Sequence, residues 1–288
     1  MENAIVLRDV TKRYKEFTLD HVSFQVPCGS IVGFVGENGA GKSTTIRAIL
    51  DQIKLEEGEI EVLGLSVQKR QDPQWREQLG VVFDGGHLPE YMNAAEVGRM
   101  MRRIFRQWDS VAYERYLKRF RLPDKKRYKD FSRGMKMKLS LAVALSHCAK
   151  LLVLDECTSG LDPIVRDEIL DIFLEFIQEE DHSILISSHI ISDLEKVADY
   201  IVFIHEGRIC FEEEKDYLME NYGIAHGTKE QAARLPQSLV SGKRENRFGV
   251  EVLVKDRREI KRLYPGLSVD PASIEEIMLY MVKGGKRE

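Results

Sequence analysis

Positions 36 to 44 read GENGAGKST: Gly36, Glu37, Asn38, Gly39, Ala40, Gly41, Lys42, Ser43 and Thr44. Glycines let a backbone wrap closely around oxyanions, and successive N–H groups at a helix start supply partial positive charge where an anion must sit. In the spacing Gly36-x-x-x-x-Gly41-Lys42-Ser43, the lysine can reach β- and γ-phosphate oxygens and the serine hydroxyl suits Mg²⁺. A second group is the pair Asp155-Glu156 at the end of "AKLLVLDE". Asp155 would complete the Mg²⁺ coordination, and Glu156, one step on, would orient and deprotonate a water attacking phosphorus. By itself, an apolar run closed by two acids also fits an ordinary solvated strand end. Beside a phosphate loop, the pair points to hydrolysis of a phosphoanhydride with Mg²⁺ as the metal.

These residues need elements to hold them. The apolar run Ile31 to Val35 before the glycines and the helical pattern after them read as strand, loop and helix. "LLVLD" reads as a buried parallel strand that delivers its acids at a carboxyl-terminal edge. The expected fold is therefore α/β, a phosphate-loop NTPase core.

The 288 residues allow one large core, or one core with an appendage. Lys and Arg number 43 against 47 Asp and Glu, a net charge of −4, whereas a nucleic-acid binder concentrates basic charge; no nucleic-acid partner is expected. No window approaches the length of an apolar membrane span, so no direct membrane insertion is expected, and the start "MENAIVLRDV" shows no export leader. Cys28, Cys148, Cys157 and Cys210 show no metal-ligand spacing and are expected as reduced thiols.

With "GENGAGKST", "LLVLDE", "CTSGLDP" and "ILISSHIISD" in that order, residues 4 to about 215 resemble the nucleotide-binding subunit of an ABC transporter of the single-domain bacterial exporter type. The resemblance implies a RecA-like core with an antiparallel β subdomain and an α-helical subdomain at about 87–147. It also implies two subunits bound head to tail, the signature loop of one closing over ATP held by the other. "FSRGM", residues 131 to 135, stands at the signature loop, with Ser132 and Gly134 keeping the hydroxyl and the absent Cβ. Tyr14 matches the aromatic on which adenine stacks, whereas its spacing alone favours a half-buried strand aromatic. His189 matches the switch histidine that contacts the γ-phosphate and joins Lys42 and Glu156 as a catalytic group. Asp162 matches the loop that crosses the dimer interface, and it also suits a turn before Pro163.

Three positions depart from the family's pattern. Asp84 stands where relatives carry a Gln that touches Mg²⁺; it would bind metal and contact nucleotide, or merely open a turn with Gly85 and Gly86. Arg133 and Met135 replace a Gly and a neutral amide of the signature, with Arg133 expected to face water rather than the γ-phosphate of the opposite ATP. Cys157 replaces a Pro and reads as an inert buried thiol.

Short alternating runs at 1–30 and 57–83 read as an antiparallel sheet. Asn93 with Glu96 reads as a capping pair, and Val97, Met100, Met101, Ile104, Phe105 and Trp108 form an apolar stripe opposite Arg99, Arg102, Arg103 and Arg106. The arginine face is either solvated or the surface for a membrane subunit. Residues 216–288 read as a small α+β accessory domain: a polar stretch 221–248, the strand "GVEVLVKD", the helix "RREIKRLY", and a final helix capped by Ser273 with Glu276. The expected function is an ATPase that powers a separate membrane permease, exporting a small molecule or peptide, with a second identical or different ATPase subunit. Its expected place is the cytoplasmic face of the membrane. The alternative is an ATP-dependent regulatory or sensing module that controls a partner without transport.

Overall fold

A computed structural model describes residues 2–68, 73–85, 87–246 and 249–284. The chain forms two compact units, Met1–Ile209 and Cys210–Glu288.

In the first unit, β1 (Asn3–Arg13) and β2 (Thr18–Pro27) form an antiparallel pair. Leu19, Val22, Phe24 and Val26 of β2 are buried while the residues between them are not, the pattern of a sheet with one wet face. β3 (Ile31–Val35) is buried at every position, as a central parallel strand must be, and runs into α1 (Lys42–Ile49). β4 (Glu57–Val62) and β5 (Leu65–Ser66) complete a sheet ordered β2-β1-β4-β5.

β6 (Leu79–Val82) corrects the expectation that 57–83 is wholly antiparallel, because it pairs in parallel with β7 (Leu151–Asp155). "LGVV" is a short apolar run without alternation, and three of its four residues are buried, as befits a parallel sheet.

Between β6 and β7 lie α2 (Ala94–Ile104), α3 (Ser110–Arg119) and α4 (Arg133–Ala144). Their starts are set by Asn93, whose box with Glu96 is closed in both directions, by Asp109, and by Ser132. Tyr113 ties α3 to α2, donating to Ala94 O at 2.8 Å, and its ring lies where a Cβ on Gly98 would stand. α2 stops at Ile104, which is exposed although its place on the stripe suggests burial.

After β7 come α5 (Pro163–Phe176), β8 (Ser183–Ser188), α6 (Ile191–Val197), β9 (Tyr200–His205) and β10 (Arg208–Glu214), the strand on which the chain leaves the first unit. The six-stranded sheet is ordered β10-β9-β3-β8-β7-β6. Phe24 stacks on Phe34 at 5.1 Å, joining the two sheets in one core; full burial of each ring stabilises by about 1.5–3 kcal/mol.

The second unit contains α7 (Lys215–Asn221), β11 (Gly223–Gly227), α8 (Lys229–Ala233), β12 (Val240–Asn246), β13 (Gly249–Val254), α9 (Arg257–Leu263), β14 (Ser268–Pro271) and α10 (Ile274–Gly284). Its sheet is antiparallel, ordered β12-β13-β11-β14. The polar stretch 221–248 contributes β11, central in the sheet, and β12. No helix among the described residues is long and apolar enough to cross a membrane.

Candidate functional site

The carboxyl ends of β3, β7 and β8 lie side by side, since Val35 pairs with Ser188 and Asp155 with Ser187. Such an edge is where parallel sheets gather their site residues. From β3 the chain turns through the glycine loop. A Cβ on Gly36 would stand 2.4 Å from Ile204 O, so only glycine lets the loop lie against β9. Gly41, the residue before α1, has φ +118°, a left-handed conformation that costs a side chain dearly, and no side chain caps the helix start. The first N–H groups of α1 are therefore left for an outside acceptor.

Lys42 is buried, and its Nζ donates to Gly36 O at 2.7 Å and Glu37 O at 3.3 Å. Ser43 is exposed, Thr44 is half-buried, and Glu37, Asn38 and Gly39 form an open rim beside buried Ala40. Asp155 Oδ1 accepts from Ser187 Oγ at 2.6 Å, which fixes the carboxylate on the sheet edge. Glu156 donates its N–H to Ser187 O at 3.1 Å and stands at φ +52°, a strained conformation for a residue with a side chain. That backbone turn aims its carboxylate between two partners. Oε1 lies 3.4 Å from Lys42 Nζ, outside hydrogen-bond geometry and otherwise unpartnered, and Oε2 meets His189 Nδ1 at 2.5 Å. Lys42, Glu156 and His189 thus form one series of cation, carboxylate and imidazole.

Other expected residues are placed as follows. Tyr14 lies in the turn after β1, not within a strand, and is 46% exposed. Asp162 is exposed and caps α5, accepting from Val165 N at 3.1 Å, so its turn role is real. Ser132 caps α4 by accepting from Met135 N at 3.3 Å. Among the described residues a Cβ on Gly134 would meet only Val165, at an ordinary 3.4 Å, so none of them demands a glycine there. Cys157 is fully buried, and burial pushes its thiol far above the ordinary range. Asp84 opens a turn with Gly85, while Gly86 lies outside the described residues. Arg133 is exposed, as expected, and it also donates to Asp84 Oδ1 at 2.6 Å, because the start of α4 comes up beside the end of β6.

Sequence reasoning missed an apolar cleft of about 630 Å³ between the sheet and the helices, lined among others by Trp75, Phe83, Met101, Ile104, Phe105 and His147. Its signal in the sequence is the stripe on α2, which equally fits ordinary packing. Exposed Ile104 belongs to the cleft, while the arginines opposite face outward and Arg106 pairs with Glu77 at 3.7 Å.

The family model for "ABC transporter" matches residues 19–159. The bacitracin transport ATP-binding protein BcrA of Bacillus licheniformis is 36% identical over 221 residues, covering 76% of this chain and 72% of that protein. This chain belongs to the ABC transporter ATP-binding proteins. The lantibiotic transport ATP-binding protein SrtF of Streptococcus pyogenes is 33% identical, covering 73% of this chain and 90% of its own length. A solved structure of the ATP-binding subunit of an ABC transporter superposes with TM-score 0.67 at 28% identity, over 75% of this chain and 91% of that one.

As an ABC ATPase this chain binds and hydrolyses ATP with Mg²⁺. Its residues suit that substrate: the site offers an uncapped helix start, a buried ammonium, an exposed serine and a buried aspartate, and a carboxylate oxygen beside the ammonium lacks a hydrogen bond. Bound Mg²⁺ would supply charge neutralisation at the phosphates.

Proposed function

We propose that this chain is the ATPase of a peptide-antibiotic exporter, and that it works as a head-to-tail dimer on a separate permease at the cytoplasmic membrane face. The substrate class comes from the names of BcrA and SrtF. The observation that carries the mechanism is the Lys42–Glu156–His189 series. Lys42 leaves Glu156 for the phosphates once nucleotide enters, and Glu156 is then free to take a proton from the attacking water. His189, exposed and hydrogen-bonded to the same carboxylate, orients Glu156 and turns to the γ-phosphate side. Ser43 and Asp155 hold Mg²⁺, and Tyr14 stacks on adenine.

Ser132 and Gly134 act on the ATP of the facing subunit. Support for this comes from Gly134, a glycine at a helix start with no neighbour among the described residues that excludes a side chain. Asp162, at the start of α5, lies on the same dimer face. The apolar cleft, not the arginine face, receives a helix of the permease, since it offers Met101, Ile104 and Phe105 in a concave surface.

The test is Glu156→Gln. It keeps shape and ATP binding but removes the base, so kcat should fall about a thousandfold while an ATP-bound dimer accumulates on a sizing column. Near-normal turnover would move the base elsewhere, and a persistent monomer would sink the dimer reading. Copurification of a multi-span protein from membranes, lost on Phe105→Asp, separates the transporter from a soluble regulator.

A further inference from the structure

Asp84 and Arg133 are the two charged departures from the family's pattern, and they lie 49 positions apart in sequence. In the fold they pair with each other, Arg133 Nη2 donating to Asp84 Oδ1 at 2.6 Å. Asp84 follows β6, whose Val82 pairs with Leu154 of β7. Two steps further along the two chains stand Asp84 and Glu156, so Asp84 leaves the sheet at the edge that already carries Asp155 and Glu156. A third free carboxylate at an edge that must admit a polyanion would repel it. Arg133, the first residue of α4, brings a cation to that point. Its guanidinium is also packed on the loop between β7 and α5: a Cβ on Gly160 would stand 2.6 Å from Nη1. The two side chains are 44% and 52% exposed, and a pair so wet contributes little to stability. What it does contribute is the charge and position of Asp84.

We propose that Arg133 is the positioning residue of Asp84, neutralising its carboxylate and holding it at the start of α4 so that MgATP meets no free third acid. This rests on reading the β3–β8–β7 edge as the ATP site. The prediction concerns coupling: loss of Arg133 harms binding only while Asp84 is charged.

The experiment measures MgATP affinity by equilibrium dialysis with radiolabelled ATP, for the wild type, Arg133→Gln, Asp84→Gln and the double variant, with Lys42→Ala as control. Arg133→Gln should weaken binding about tenfold, the scale of one unpaired charge at short range, and less so at high salt. The double variant should bind as Asp84→Gln does, with melting temperatures equal throughout. An equal loss from Arg133→Gln in both backgrounds, or no loss in either, overturns the proposal. Tighter binding by Arg133→Gln also overturns it, since Asp84 would then be a metal ligand that Arg133 restrains. If Lys42→Ala binds ATP as well as the wild type, the site reading fails and the proposal with it. A weakened Lys42→Ala without coupling in the cycle sinks the pair alone.

Discussion

The edge of the six-stranded sheet and the sheet of the second unit both gather acids with a histidine, and they treat them differently. In the second unit His226 lies between Asp270, at 3.3 Å, and Glu251, at 3.9 Å, and Glu251 Oε2 accepts from Tyr280 OH at 2.5 Å. The acids there are answered by neighbours, and the one described residue of that unit with positive φ is a glycine, Gly249. At the first unit's edge Glu156 stands in a left-handed conformation, and its buried Oε1 has no hydrogen bond. Among the described residues Glu156 alone combines a non-glycine positive φ with a buried polar atom that has no hydrogen bond, the two features together that a residue awaiting another partner shows.

The largest break of that comparison should come from Lys42→Ala. Removing the buried ammonium deletes the cation proposed to meet the phosphates and leaves Glu156 without its counter-charge. ATP affinity is expected to fall at least a hundredfold, the scale of removing a charge-assisted hydrogen bond from a buried site. Equilibrium dialysis decides it; an affinity within threefold of wild type would remove the loop from the site.

The opposite result is expected from Ile260→Ala in the second unit. Ile260 is fully buried in a core with Val252, Val254 and Val269, so the truncation should cost about 2–4 kcal/mol of that unit's stability. ATP affinity should not change below the melting transition. A parallel loss of ATP binding would show that the second unit serves the site after all.

How much of this the sequence discloses depends on how local each feature is. The phosphate loop and Asp155-Glu156 are runs of neighbours, so spacing alone locates them. The contact of His189 with Glu156 needs the strand order β3-β8-β7, which follows from a family resemblance and not from periodicity. Arg133 with Asp84 is beyond either route: 49 residues separate them, and both positions depart from the family's pattern, so nothing in the sequence couples them. β11 escapes notice because "GIAHG" has neither alternation nor β-branched density; its burial comes from the strands on both sides. β6 is misassigned for a related reason, a short apolar run fitting either kind of sheet until its partner is known.

The smallest effect is expected at Tyr14. Its backbone is held, the N–H donating to Phe17 O at 2.7 Å, while Lys12 Nζ lies 5.6 Å from the ring centroid. A ring 46% exposed in a turn offers one face to a base without contributing to the core. Stacking of a base on an aromatic is worth about 1–3 kcal/mol, and a wet site takes the low end, so Tyr14→Ala should weaken ATP binding about fivefold. Every base has a π-face, so GTP should lose the same factor, whereas Tyr14→Trp should keep or improve both affinities. The melting temperature should not move. A loss confined to ATP would mean that a polar contact to adenine, not stacking, is made here, and no loss for either nucleotide would leave Tyr14 an ordinary surface aromatic. Neither result would disturb Lys42 or Glu156, because the phosphate end of the site is built from different strands than the turn that carries Tyr14.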